Sequence, residues 1–201
     1  MTSQVDNSKR TWLIASSCAG LAGAGVGAVT LVGSLEPSER AKAAGAAVEA
    51  DISALKPGEK MTVAWRGKPV WIMKRTPEQM AALPKLDSQL ADPKSDRKPD
   101  EQAPAYARNA FRAREDHKDI LVVVGICTHL GCSPVDRLTT GPQPSLPDDW
   151  QGGFLCPCHG STYDLAGRVY KNKPAPDNLE VPPYMYISAT KILIGQDVAS
   201  V

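Results

Sequence analysis

Two short stretches constrain this chain more than anything else in it: "CTHLGC" at 127–132 and "CPCHGSTY" at 156–163. Each places one histidine and two cysteines within a few positions. Together they hold four of the five cysteines, the fifth being Cys18. Such clustering points to a metal centre, a disulfide or both. The spacing removes several alternatives. Haem attachment needs C-x-x-C-H, and "CPCH" is one residue short; a thioredoxin-type site needs C-x-x-C, which is absent. Zinc deaminases need H-x-E with P-C-x-x-C. A zinc finger takes two cysteines from one loop and two histidines from another. Here each loop offers one Cys–His pair and a spare cysteine.

That mixture suits a binuclear centre. In one type of [2Fe–2S] cluster, one iron takes two thiolates and the other two imidazoles. If each loop grips both irons, the candidate ligands are Cys127 and Cys156 for one iron and His129 and His159 for the other. Cys132 and Cys158 remain. Read as occupying matching places near the two loop ends, they are candidates for a disulfide, which needs an oxidising compartment. A lone structural zinc is the competing reading of the same residues.

The N-terminal part differs in kind. No residue from Thr11 to Gly33 is charged ("TWLIASSCAGLAGAGVGAVTLVG"). As a helix this run is roughly 34 Å long, enough for a hydrocarbon core of about 30 Å. It exceeds the apolar core of a cleaved signal peptide, about 7–15 residues, so residues 11–33 are read as a transmembrane anchor. Lys9 and Arg10 precede it, which favours a cytoplasmic N-terminus over residues 1–10. "SKRTWLI" also looks like a twin-arginine export signal with Lys9 in place of the first arginine. Gly23 and Gly27 form a GxxxG, which lets a neighbouring helix approach. Cys18 reads as a small apolar residue of the anchor.

Residues 34–50 are polar and Ala-rich without an apolar stripe, and read as a flexible hinge or tether. The head domain is expected from 51 to 201. "MTVAW" and "PVWIMKR" read as strands joined at "RGK", "DILVVVGI" and "GGFLC" as strands leading into the two Cys/His loops, and "YMYISATKILIG" as a closing hairpin. The polar, Pro-broken segment 76–116 is expected to be short helix and surface loop, and His117 to be exposed. Short strands with Pro/Gly turns predict a mainly β head. A net charge of +1 gives no sign of nucleic-acid binding.

The loops resemble those of the Rieske iron–sulfur proteins, and more narrowly the Rieske subunit of bacterial ubiquinol–cytochrome c reductase, the cytochrome bc complex. "WRGKPVWI", "GICTHLGCSP", "FLCPCHGSTYDLAGRV" and "PAPDNLEVPPY" carry the resemblance. It implies a Rieske-type antiparallel β-sandwich head, with a cluster-binding subdomain over residues 125–175, plus one N-terminal transmembrane helix. It implies one [2Fe–2S] cluster on Cys127, His129, Cys156 and His159, and a Cys132–Cys158 disulfide. It assigns hydrogen bonds from Ser161 to a bridging sulfide and from Tyr163 to the Cys127 sulfur. His159 becomes the catalytic contact with quinol, and Leu130 shields the cluster and lines the docking surface.

The implied activity is that of an oxidoreductase and translocase subunit. The cluster accepts an electron, and through a histidine a proton, from ubiquinol, and the electron passes to a membrane cytochrome c subunit. The implied partners are cytochrome b and that cytochrome c subunit in a dimeric complex. The head would lie on the periplasmic side of a bacterial inner membrane, swinging on the tether. One departure is Lys173, where the family's loop often has glycine before Pro-Ala-Pro. The alternative is a ferredoxin-like Rieske carrier for an oxygenase or another quinone-linked oxidoreductase; soluble members usually lack the anchor and the disulfide pair.

Overall fold

The structure, a computed structural model, describes residues 7–36, 38, 45–98 and 101–197. The chain divides into two compact units, Met1–Ala43 and Ala44–Val201. The first contains helix α1, Asn7–Ser34, which takes in the whole uncharged run. Its 28 residues reach about 42 Å, long and apolar enough to cross a membrane. The hydroxyls of Thr11, Ser16 and Thr30 donate to carbonyls four residues back. A polar side chain satisfied in this way can sit among lipid tails at low cost.

The second unit is mostly β. Its described strands form three antiparallel sheets of three strands each. One joins β1 (Val48–Asp51) to β9 (Lys191–Ile194) and β9 to β8 (Tyr184–Ser188). The second runs β2 (Lys60–Trp65), β3 (Lys68–Lys74), β4 (Ile120–Val124). The third runs β5 (Val135–Arg137), β6 (Gly153–Leu155), β7 (Thr162–Asp164) and carries the Cys/His loops. The β2–β3 hairpin turns at Arg66 and Gly67, both with positive φ (50° and 71°). Two such residues give the turn whose twist matches the strands it joins. β4 is buried at every position, as expected for a strand covered on both faces.

Three expectations shift. The predicted tether 34–50 overlaps β1, where Val48 pairs with Ile194 and Ala50 with Ile192. Residues 37 and 39–44 of that segment lie outside the described residues. The segment 76–116 has the expected short helix, but its described residues are not all at the surface. It contains helix α2 (Pro77–Ala82), opened by a Thr76–Gln79 capping box, and 3-10 turns at 83–89 and 105–107. It also buries Leu83, Leu86, Leu90, Ala103, Ala107 and Arg112. His117 is half-buried and stacks on Tyr186, with ring centroids 3.8 Å apart.

What fastens this cover is three buried arginines. Arg75, Arg112 and Arg168 are all at most 2% exposed. Arg112 donates to the carbonyls of Ala166, Gly167, Gln102 and Leu179 and to Ser95 Oγ. Arg75 donates to the carbonyls of Phe111, Leu165 and Lys118. Arg168 pairs with Asp164 at 2.8 Å and Asp87 at 2.7 Å. Burial pushes Arg75 and Arg112 down to about 10, so both stay charged at neutral pH. A buried cation needs its donors filled. The bare carbonyls of the 164–168 turn and of the cover supply most of the acceptors.

Candidate metal centre

β4 ends at Val124, and Gly125 and Ile126 lead into the first loop. Gly125 has to be glycine, because a Cβ there would lie 2.2 Å from the Trp71 ring. Trp71 in turn packs on Phe154 of β6, with centroids 4.9 Å apart. The second and third sheets thus meet just behind both loops.

The two loops have the same backbone fold. In the first, Cys127 N–H donates to the Cys132 carbonyl at 2.7 Å and Gly131 N–H to the Cys127 carbonyl at 3.1 Å. In the second, Cys156 N–H donates to the Ser161 carbonyl at 2.7 Å and Gly160 N–H to the Cys156 carbonyl at 3.0 Å. Gly131 and Gly160 both take positive φ, 84° and 73°. Cys127 therefore corresponds to Cys156, His129 to Cys158, Leu130 to His159 and Cys132 to Ser161. This corrects one reading from sequence. Cys132 and Cys158 do form a disulfide, but they do not occupy matching places: Cys132 closes its loop while Cys158 sits mid-loop.

The remaining donors fit a group with two sulfur and two nitrogen ligands. Cys127 and Cys156 are buried free thiols. His129 Nδ1 is buried and has no hydrogen-bond partner, a costly condition unless something binds it. The His129 and His159 rings lie side by side, centroids 4.7 Å apart and nearly perpendicular. The Sγ atoms of Cys132, Cys156 and Cys158 fall within 4.8 Å of one another. Two of these are spent in the disulfide, so only Cys156 keeps a thiol to offer. Burial raises the Cys156 thiol above its ordinary pKa, while backbone N–H groups of Cys158 and His159 pull it down and the Cys127 thiol raises it. Those N–H groups favour a thiolate, the form a metal binds.

Exposure divides the tip. His159, Pro157 and Cys158 are exposed and His129 is half-buried; Leu130 is 71% exposed, unusual for a leucine. Behind them, Tyr163 is fully buried and its hydroxyl donates to Cys127 Sγ at 3.2 Å. Burial first, and that bond second, raise its pKa well above the ordinary phenol value, so it remains a donor. Ser161 is fully buried, and its Oγ accepts from Ala175 N–H at 2.9 Å, which leaves the hydroxyl proton to be donated.

A third loop, 172–178, touches both ligand loops. It does so through that Ala175–Ser161 bond and through Thr128 Oγ1, which donates to the Asp177 carbonyl at 2.6 Å. Its left-handed residue is Asn172, with φ 58°, and not Lys173. Asparagine tolerates that conformation, so the lysine needs no special backbone. Sequence reasoning missed Thr128 and the segment behind this loop. The bare threonine between Cys127 and His129 was the one available signal.

Residues 91–184 match the family model of the Rieske [2Fe–2S] domain. Among curated proteins, the ubiquinol–cytochrome c reductase iron–sulfur subunit of Allochromatium vinosum is 52% identical, over 94% of this chain and 88% of that one. Proteins of the same name from Bradyrhizobium diazoefficiens and Rickettsia typhi are 38% and 41% identical over 93% and 91% of this chain and 94% and 89% of theirs. The two loops and nearly the whole length of the chain thus point the same way, and the chain belongs to the Rieske iron–sulfur family, alongside the bacterial iron–sulfur subunits of ubiquinol–cytochrome c reductase.

Proposed function

We propose that this chain is the electron-transfer subunit of a membrane-bound ubiquinol–cytochrome c reductase. One observation carries the reading: a donor set of two buried thiols and two adjacent imidazoles, with the second histidine exposed, in a chain half-identical to a subunit of that name. Cys127 and Cys156 would hold one iron, and His129 and His159 the other. A [2Fe–2S] cluster so held supplies a one-electron acceptor at about −150 to +300 mV, against about −400 mV for all-cysteine plant-type clusters.

The chain's own residues do the rest. His159, exposed at the tip, has two ring nitrogens; the one not turned to iron takes a hydrogen bond from a quinol hydroxyl and holds its proton. Tyr163 donates to the Cys127 sulfur, and Ser161 would donate toward the cluster; such bonds stabilise added negative charge and raise the potential. Leu130 keeps water from the rim and supplies the apolar contact for docking. Cytochrome b, carrying the quinol site, and a membrane cytochrome c subunit are the partners, in a dimeric, charge-translocating complex.

Helix α1 serves as a single anchor in a bacterial inner membrane. Lys9 and Arg10 stay on the cytoplasmic side, and the head lies in the periplasm, where a disulfide persists. The part of residues 34–50 that lies between α1 and β1 acts as the tether. The test is spin resonance on reduced membranes with and without an inhibitor of the quinol-oxidation site. A rhombic signal whose line shape changes with inhibitor is expected. A signal indifferent to inhibitor favours the ferredoxin-like alternative, and a colourless zinc protein ends the reading.

A further inference from the structure

The third loop, 172–178, has an outer support that no part of the proposed function uses. Residues 92–98, part of the cover, run behind it. Arg97 Nη1 donates to the Pro176 carbonyl at 3.1 Å and Lys98 Nζ to Asp177 Oδ2 at 2.7 Å. Asn178 Nδ2 reaches back to the Asp92 carbonyl at 2.8 Å and to Ser95 Oγ at 3.1 Å. The contacts continue inward. The Asp177 carbonyl accepts from Thr128 Oγ1; the Thr128 hydroxyl and N–H lie 3.3 Å and 3.2 Å from the Tyr163 hydroxyl; that hydroxyl donates to Cys127 Sγ at 3.2 Å. An unbroken line of polar contacts thus runs from a surface lysine to a buried thiol.

We infer that Lys98, acting with Asp177, is a positioning residue that sets the reduction potential of the metal centre by holding loop 172–178 against Thr128 and Ser161. This rests on the cluster assignment made above. The physical reasoning is short. Hydrogen bonds to sulfur raise a cluster's potential, and their strength depends on where the donors sit. Ser161 is held by Ala175 of this loop, and Tyr163 lies against Thr128, which the loop holds through the Asp177 carbonyl. The Asp177 side chain is 12% exposed and that of Lys98 49%. The pair is therefore held on its acidic side and screened on its basic side. The effect of Lys98 should be smaller than that of removing a donor outright.

The sign of the shift separates positioning from direct charge. If Lys98 and Asp177 acted only through space, Lys98→Gln would lower the potential and Asp177→Asn would raise it. If they position the loop, both lower it, and the double variant goes no lower than the worse single one. The experiment titrates the cluster's spin-resonance signal against potential in membranes carrying the full chain, with iron content measured alongside. Expected are downward shifts for Lys98→Gln and Asp177→Asn, each smaller than for Tyr163→Phe. A smaller shift of the same sign is expected for Arg97→Gln, with Lys98→Arg at the wild-type value. Opposite signs, or no shift in either variant at normal iron content, overturn the inference. Absence of any cluster signal from the unaltered chain overturns instead the function on which it rests.

Discussion

Loops 127–132 and 156–161 share a backbone and differ in what they hang on it. Each starts at a buried cysteine, closes with the same two hydrogen bonds and turns at a left-handed glycine. The first then offers a half-buried histidine, an exposed leucine and a closing half-cystine. The second offers a half-cystine, an exposed histidine and a closing buried serine. Sliding the histidine by one position moves it from the sheltered side of the mould to the open side. One imidazole thus sits in partial shelter and the other faces solvent, which is the asymmetry the proposed quinol contact at His159 would use. The closing position divides likewise, between a covalent tie and a buried hydroxyl.

The largest effect that would break this comparison is on metal content. His129→Ala and His159→Ala should each abolish iron retention, measured as iron per protein on purified full-length chain. Retention in either variant would mean the loops are not two halves of one site. Next comes the tie between them. Cys132→Ser or Cys158→Ser opens a loop spanning 26 residues, which in the chain-entropy account costs about 3.5 kcal/mol. A denaturant midpoint lowered equally by both substitutions is expected, and a large inequality would mean one sulfur has a second role.

The finest test concerns the mould itself. A Cβ added at Gly131 or Gly160 would meet nothing within 4 Å, so only the positive φ opposes it. Gly131→Ala and Gly160→Ala should therefore each cost about 1–2 kcal/mol, by nearly the same amount. Unequal midpoints would deny the equivalence.

Much of this was legible beforehand, for identifiable reasons. The strands β2, β3 and β4 follow from alternation, a two-residue turn and an apolar run, all local signals. The ligand candidates follow from spacing. β5 and β7, three residues each, are too short to have a period. β1 hides in an Ala-rich stretch because its partner, β9, lies at the far end of the chain. The matching of Cys132 with Cys158 failed because spacing counts residues, while loop equivalence is set by backbone hydrogen bonds. The cover at 76–116 looked solvent-facing because residues such as Arg112 read as polar. Arg112 is buried because distant carbonyls at 166–179 accept from it.

The three buried arginines decide how the head comes apart. Lifting the cover would draw Arg112 away from the carbonyls of Ala166, Gly167 and Leu179 and strip Arg75 and Arg168 of their acceptors at Phe111, Leu83 and Asp87. Partial opening is then dearer than it looks from the loop-rich secondary structure. Hydrogen-bonded amides of the described part of this stretch are therefore expected to exchange together with the sheets beneath.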